Sequence, residues 1–304
     1  MKDIQTQANN KINLAGKLMD VTFGDGKITS ADGSARPYKR ATVTVRVTQT
    51  YGGKEETSDI QVGMFATEFT STGKQNPAWK SLKDLELMKT AQNVGIDNAS
   101  HVRLTGASLQ ENYFVSRSGN LIDGWQIRGS FINEAKVSDV ASFVTDIFIM
   151  SMEDEIGRDE EPTGRLKIKG GIVQYGGKLD VVDFYVEAPD TVEYIQRNWE
   201  VNGTVTVKGR IRVLSQEEEV QASGWGEEVP DTTTRVVREL IITTGDDECK
   251  EEEFAYDPVE IKKAFNERKA AIEQTQINAR TNAPKQGAGS ANTASTSSKK
   301  YDWE

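Results

Sequence analysis

The sequence predicts a mainly β fold, and three observations predict it. Lys11 to Thr48 opens with a long strand-like run, passes through a turn rich in Gly, Lys, Arg and Tyr, and returns as an alternating strand. Phe143 to Val186 repeats that design. Each is followed by a short amphipathic helix and then two more strands. Strand, strand, strand, helix, strand, strand is the chain order of the OB-fold, a five-stranded Greek-key barrel that binds oligonucleotides and oligosaccharides. The expected architecture is two tandem OB-fold barrels, residues 1–136 and 137–250, then a C-terminal helix over 251–280 and a disordered tail over 281–304.

In the first unit, KINLAGKLMDVTF from Lys11 to Phe23 places Ile12, Leu14, Gly16 and Leu18 on one face, a period of two that marks a strand. Gly16 in mid-strand suggests a coil or bulge. Gly24 to Pro37 is predicted as a long polar loop from its Gly, Asp and Pro content. ATVTVRVT from Ala41 to Thr48 turns Val43, Val45 and Val47 inward and Thr42, Thr44 and Arg46 outward. A third strand covers Thr57 to Phe65. Asn76 to Thr90 is predicted as a helix, opened by Pro77 and spaced by Trp79, Leu82, Leu85 and Met88. Strands at Ser100 to Val115 and Gly124 to Asn133 close the unit.

The second unit starts with a strand from Phe143 to Glu153 and an acidic loop to Gly164. Arg165 to Tyr175 and Lys178 to Glu187 form a hairpin about Gly176 and Gly177. Pro189 to Val201 is the helix. Thr204 to Val213 turns Val205, Val207, Ile211 and Val213 inward, and Arg235 to Thr244 is the last strand. A mixed-charge helix follows from Asp257 to Ala279. Thr281 to Ser298 is mostly Gly, Ala, Ser, Thr and Asn without apolar periodicity, a disordered composition, and the chain ends in KKYDWE.

The 304 residues contain one cysteine, Cys249, and one histidine, His101. No disulfide can form within the chain, which suits a reducing compartment. With no apolar run of membrane-spanning length and no secretory leader pattern, the expected location is the cytoplasm, the host's if the chain is phage-encoded. Net charge is −10, which by itself disfavours a nucleic-acid partner. The charge is uneven, however. Residues 1–50 carry eight Lys and Arg against four Asp, and the acid concentrates beyond residue 150. Local potential, not the total, sets a backbone contact.

Single-stranded nucleic acid is held by cations that track phosphates and by rings on which bases stack. The first unit offers Lys17, the RPYKR run with Arg36, Tyr38, Lys39 and Arg40, and then Arg46, Tyr51 and Lys54. Tyr113, Phe114, Arg117, Trp125 and Arg128 come later, although Trp125 and Trp79 fall in the apolar sets of their elements. The second unit offers Lys167, Lys169, Tyr175 and Lys178 on its hairpin, and Lys208, Arg210 and Arg212 on one face of its fourth strand. The tail tip of Tyr301, Asp302, Trp303 and Glu304 combines rings and acid, a chemistry suited to a basic-rimmed apolar pocket on a partner.

OB-folds followed by a low-complexity linker and an acidic, aromatic tip resemble single-stranded DNA-binding proteins of bacteria and phages. FVTDIFIMSMEDEIGRDEEPTGRLKIKGGIVQYGGKLDVVDFYVE and later RVVRELIITTG resemble such proteins of phages and mobile elements in Gram-positive bacteria. The resemblance implies a non-enzymatic protein that coats single-stranded DNA without sequence preference in replication or recombination. It implies that the tail recruits replication or recombination proteins, and it allows an oligomer. The usual bacterial protein has one barrel per chain and a tip ending in Pro-Phe; this chain departs from both. The alternative is a virion component or replisome scaffold that uses its barrels for protein contacts.

Other chemistries lack their residues. GDGKITSAD looks like part of a calcium loop, but Val21 and Phe23 occupy two positions that need oxygen ligands. GGK at Gly52 and Gly176 is not a phosphate loop. One Cys and one His make no zinc cluster, so neither metal nor cofactor is expected. The Glu153–Glu161 carboxylates suit a solvated loop better than a nuclease site, and no nucleophile, base and orienting group come together.

Overall fold

The computed structural model describes residues 1–29, 33, 35–70, 72–116, 120–157, 160–220 and 231–282. In chain order the elements are β1 (Asn10–Thr29), β2 (Ala35–Tyr51), β3 (Lys54–Thr67), α1 (Pro77–Leu85), the short α2 (Ala91–Val94), β4 (His101–Val115), β5 (Leu121–Gly129) and β6 (Phe131–Glu134). They continue with β7 (Val140–Ile156), β8 (Pro162–Val173), β9 (Leu179–Val186), α3 (Pro189–Asn198), β10 (Thr204–Val220), β11 (Asp231–Gly245) and α4 (Pro258–Asn282). The fold is mainly β, as expected, with the predicted C-terminal helix.

All eleven strands belong to one sheet. Its pairing runs in two closed circuits. In the first, β1 pairs with β2 and β2 with β3, β3 lies parallel to β5, β5 pairs with β4, and β4 returns to β1. In the second, β7 pairs with β8 and β8 with β9, β9 lies parallel to β11, β11 pairs with β10, and β10 returns to β7. The circuits are joined by antiparallel pairing of β1 with β7, from Asn10 opposite Thr145 to Ala15 opposite Val140.

The alternations that predict strands also fill the core. Val43, Val45 and Val47 are buried with Ile60, Val62, Leu109 and Ile127, while Val205, Val207 and Ile211 are buried with Phe143, Ile168 and Phe184. Each such side chain contributes roughly 1.5–3 kcal/mol on leaving water. These residues form a single contiguous cluster across both circuits. Gly16 serves a close approach: a Cβ there would lie 2.1 Å from the Arg46 carbonyl oxygen of β2. The register of β1 shifts on either side of Gly16, between Ile12 and Leu14 against β4 and between Leu18 and Asp20 against β2.

Two expectations are corrected. Most of the expected loop is strand: Gly24–Thr29 of β1 pairs as a ribbon with Ala35–Arg40 of β2, from Gly24 opposite Arg40 to Thr29 opposite Ala35. Gly and Asp content suggested a loop, but the glycines here make room for large cross-strand side chains. The helix expected to reach Thr90 stops at Leu85, and Lys89 is held instead by Ser100, just before β4: its carbonyl accepts from Ser100 N–H at 2.8 Å, and its N–H donates to Ser100 Oγ at 3.1 Å. The start of α1 is as expected, with Asn76 Oδ1 accepting from Ala78 N–H at 3.1 Å.

Polar contacts fix one circuit against the other. Val213 N–H donates to Ser58 Oγ at 3.0 Å, and Ala141 N–H to Gln49 Oε1 at 3.0 Å. α4 spans the junction: Arg268 pairs with the buried carboxylate of Glu111 on β4. Glu111 N–H in turn donates to Asp180 of β9 at 3.0 Å. Burial, and then the charge of Glu111, push Asp180 up to about 6. Among the described residues no helix is long and apolar enough to cross a membrane.

Candidate nucleic-acid interface

A cleft runs over one face of the first circuit and on to the second. Its first part, about 500 Å³, lies on the outward face and is lined by Thr22, Arg40, Gln61, Gln126 and Arg128 among others. Its second part, about 580 Å³, lies between β5, β9 and α4 and includes Phe114, Trp125, Lys169 and Phe265. Asn112 and Arg238 line both parts, so the two are continuous.

Four cations from four strands reach this cleft: Arg40, Arg128, Lys169 and Arg238. Each strand projects alternate residues to its outer face, and these cations occupy such positions. Arg40 lies beside Gly24, where an added Cβ would come within 2.7 Å of its Nε. Arg128 lies beside Gly63 in the same way, its guanidinium 2.8 Å from the place of a Cβ. Glycine therefore lets two arginines lie flat on the sheet. The Arg238 guanidinium stacks over the Trp125 ring, 4.3 Å from its centroid. Burial by the cleft walls pushes the pKa of Arg238 down. Among the described residues none of the four cations has a carboxylate partner.

Apolar surface lines the same path. Phe114 and Ile122 are 48% and 45% exposed, and Val236 is 54% exposed, so each offers a face to a flat ligand. Acid is present too, but largely neutralised: Lys167 Nζ lies 2.7 Å from Asp183, and Arg268 lies 3.8 Å from Asp123. The arrangement can pair with phosphates through the guanidiniums and stack bases on the rings and on the Arg238–Trp125 pair.

The predicted residues divide into three groups. Arg40, Phe114, Trp125, Arg128 and Lys169 are in the cleft. Lys54, Tyr175, Lys178 and Lys208 are exposed at turns or strand faces outside it, and Arg36 is half-buried on the ribbon. The others are engaged within the protein. Lys39 is buried, paired with Glu86 and 3.8 Å from Asp25. Tyr38 packs on Phe65 with centroids 5.4 Å apart. Lys17 donates to the Ala99 carbonyl at 3.2 Å. Arg46 makes two bonds to Asp59, at 2.7 and 2.6 Å. Lys167 is held by Asp183. Arg210 is buried, paired with Glu56 and Glu187, and stacked 4.2 Å over Tyr51. Arg212 bonds Glu239 through Nε at 2.8 Å and also pairs with Glu187. Arg117 and the tip of Tyr301, Asp302, Trp303 and Glu304 lie outside the described residues.

Sequence reasoning missed Arg238 and Phe23. Arg238 is one of several cations in an alternating strand, with nothing nearby in the chain to single it out. Phe23 is the last residue of the strand predicted from Lys11, where nothing in the alternation singles it out.

Residues 8–278 match the model of the family described as YorF. No curated protein matches the chain.

Proposed function

We propose, from a chain that belongs to the YorF family, that the protein binds single-stranded DNA along this cleft, without sequence preference and without turning it over. The observation that carries the reading is a set of cations without a carboxylate partner among the described residues, Arg40, Arg128, Lys169 and Arg238, beside exposed rings on one continuous path. We read each pairing circuit as an OB-fold barrel. A helix between the third and fourth strands, α1 in one circuit and α3 in the other, supports that reading. The first part of the cleft then lies over strands two and three, the face such barrels use for oligonucleotides. Guanidiniums would take the phosphates, and bases would stack on Phe114, Phe23 and the Arg238–Trp125 pair. The expected setting is replication or recombination in the cytoplasm, with Tyr301, Asp302, Trp303 and Glu304 recruiting partner proteins.

The test is fluorescence anisotropy with labelled poly-dT and a matched duplex over a salt series. Neutralising about four phosphates of a single strand gives a log–log salt slope near −3. The triple variant Arg40→Ala, Arg128→Ala, Arg238→Ala should lose at least about tenfold in affinity and flatten the slope to near −1. The labelled strand should emerge intact. Failure to bind poly-dT at low salt would overturn the reading and favour a scaffold role.

A further inference from the structure

The circuits differ in what their helices pack against. In the first, α1 closes on β6, burying Trp79, Leu82 and Leu85. Ser81 seals the seam: its Oγ donates to the Ile132 carbonyl at 3.1 Å and accepts from Ile132 N–H at 3.0 Å. In the second, α3 buries Ile195 alone among its residues and stands off the end of β11. What remains is a groove of about 300 Å³. Its lining includes Ile195, Trp199 and Ile242, and Tyr194, 45% exposed, stands at its side.

The groove's charge is of one sign. Asp190, Asp246 and Asp247 line it, and among the described residues no Lys or Arg does. Asp246 is occupied, accepting from Thr206 N–H at 2.8 Å. Asp190 and Asp247 are exposed at the rim. Phosphate is repelled by such a rim, so this is no extension of the nucleic-acid cleft. An apolar trough with carboxylates at its edge fits a side chain that is aliphatic along its stem and cationic at its head.

We propose that the groove between α3 and β11 docks a basic segment of a partner protein. The stem of an Arg or Lys lies against Tyr194 and the apolar lining, and its head meets Asp190 and Asp247. The volume suits one long side chain with the short stretch of backbone that carries it. This site is independent of the DNA-binding reading, since it shares no residue with the cleft.

The experiment uses the full chain and a fluorescein-labelled hexapeptide of alternating leucine and arginine, at ~150 mM salt so that diffuse attraction is screened. A peptide with glutamate in place of arginine is the control. The arginine peptide should bind and the glutamate peptide should not. The variant Asp190→Asn, Asp247→Asn should weaken binding about tenfold, or ~1.4 kcal/mol shared between two exposed charge contacts. Glu251→Gln, Glu252→Gln removes the same charge from an exposed segment elsewhere and should leave affinity unchanged. Saturating poly-dT should not displace the peptide. Both variant pairs should unfold at the wild-type denaturant midpoint. Equal weakening by the two pairs, no effect of the first pair, or no binding by the wild type would each overturn the proposal.

Discussion

Cations on the outward strand faces form two sets used in opposite ways, Lys169 and Arg238 of the second circuit joining the set that lines the cleft. On the first circuit, Arg40 and Arg128 lie on glycines and face a cleft with no carboxylate partner among the described residues. On the second circuit, Arg165, Arg210 and Arg212 are tied to Glu56, Glu155, Glu187 and Glu239 in one network. That network includes the β2–β3 turn of the first circuit, through Glu56 and the Tyr51 ring. A cation spent on holding two halves together is not available to a phosphate. Charge on a strand face therefore indicates a ligand only when its partners are known.

The contrast can be broken most forcefully at Arg210. Arg210→Ala would leave Glu56 and Glu187 facing each other in a half-buried site, and removing one partner of such a pair costs roughly 3–5 kcal/mol. Urea denaturation should show that loss, while poly-dT affinity per folded molecule should stay within about twofold. A large loss of affinity with stability unchanged would move Arg210 into the interface and dissolve the contrast.

The junction offers a second, smaller effect. Asp180 has a folded pKa of about 6 against an ordinary 3.8. The folded protein therefore holds more protons than the unfolded chain between those values, and stability falls as pH rises through that window. The upper bound is roughly 3 kcal/mol, less because Glu111 shares the titration. Asp180→Asn keeps an acceptor for the Glu111 N–H and loses the charge. It should be more stable than wild type by about 1–3 kcal/mol at pH 8, and the gap should close below pH 4. Thermal melts across pH measure this; a gap independent of pH would show that Asp180 is not held against its charge.

The gentlest test is Arg238→Ala. It should weaken poly-dT binding about tenfold, near the value of one stacking contact with its charge. Denaturant stability should change by no more than about 1 kcal/mol, since no carboxylate is left unpaired. Lost stability with retained affinity would make the Arg238–Trp125 stack structural and return both sets to the same class.

Strand alternation made much of the fold legible: Val43, Val45 and Val47, like Val205, Val207 and Ile211, fall where a period of two places them. The repeat of element order was legible too, although its pairing circuits depend on contacts that no local pattern carries. The cleft was only partly legible. Lys39 is neutralised by Glu86, 47 positions away, and Arg210 by Glu56, 154 positions away. Arg238 shows the converse, an ordinary strand cation made unusual by Trp125 from the other circuit. The ribbon was hidden because Gly24 signals a turn until Arg40 is seen lying beside it.

The pairing of β1 with β7 makes the chain hard to divide. Along Asn10 to Ala15, β1 pairs with β7, and over part of that stretch it also bonds β4, while β7 bonds β10 from Ser142 to Phe148, overlapping its pairing with β1. A cut between residues 136 and 137 would leave each half with a bare ladder of N–H and C=O groups, ready to capture a like edge. Halves made separately would clump or recombine, so the two circuits are best regarded as a unit of inheritance that cannot be traded piecemeal.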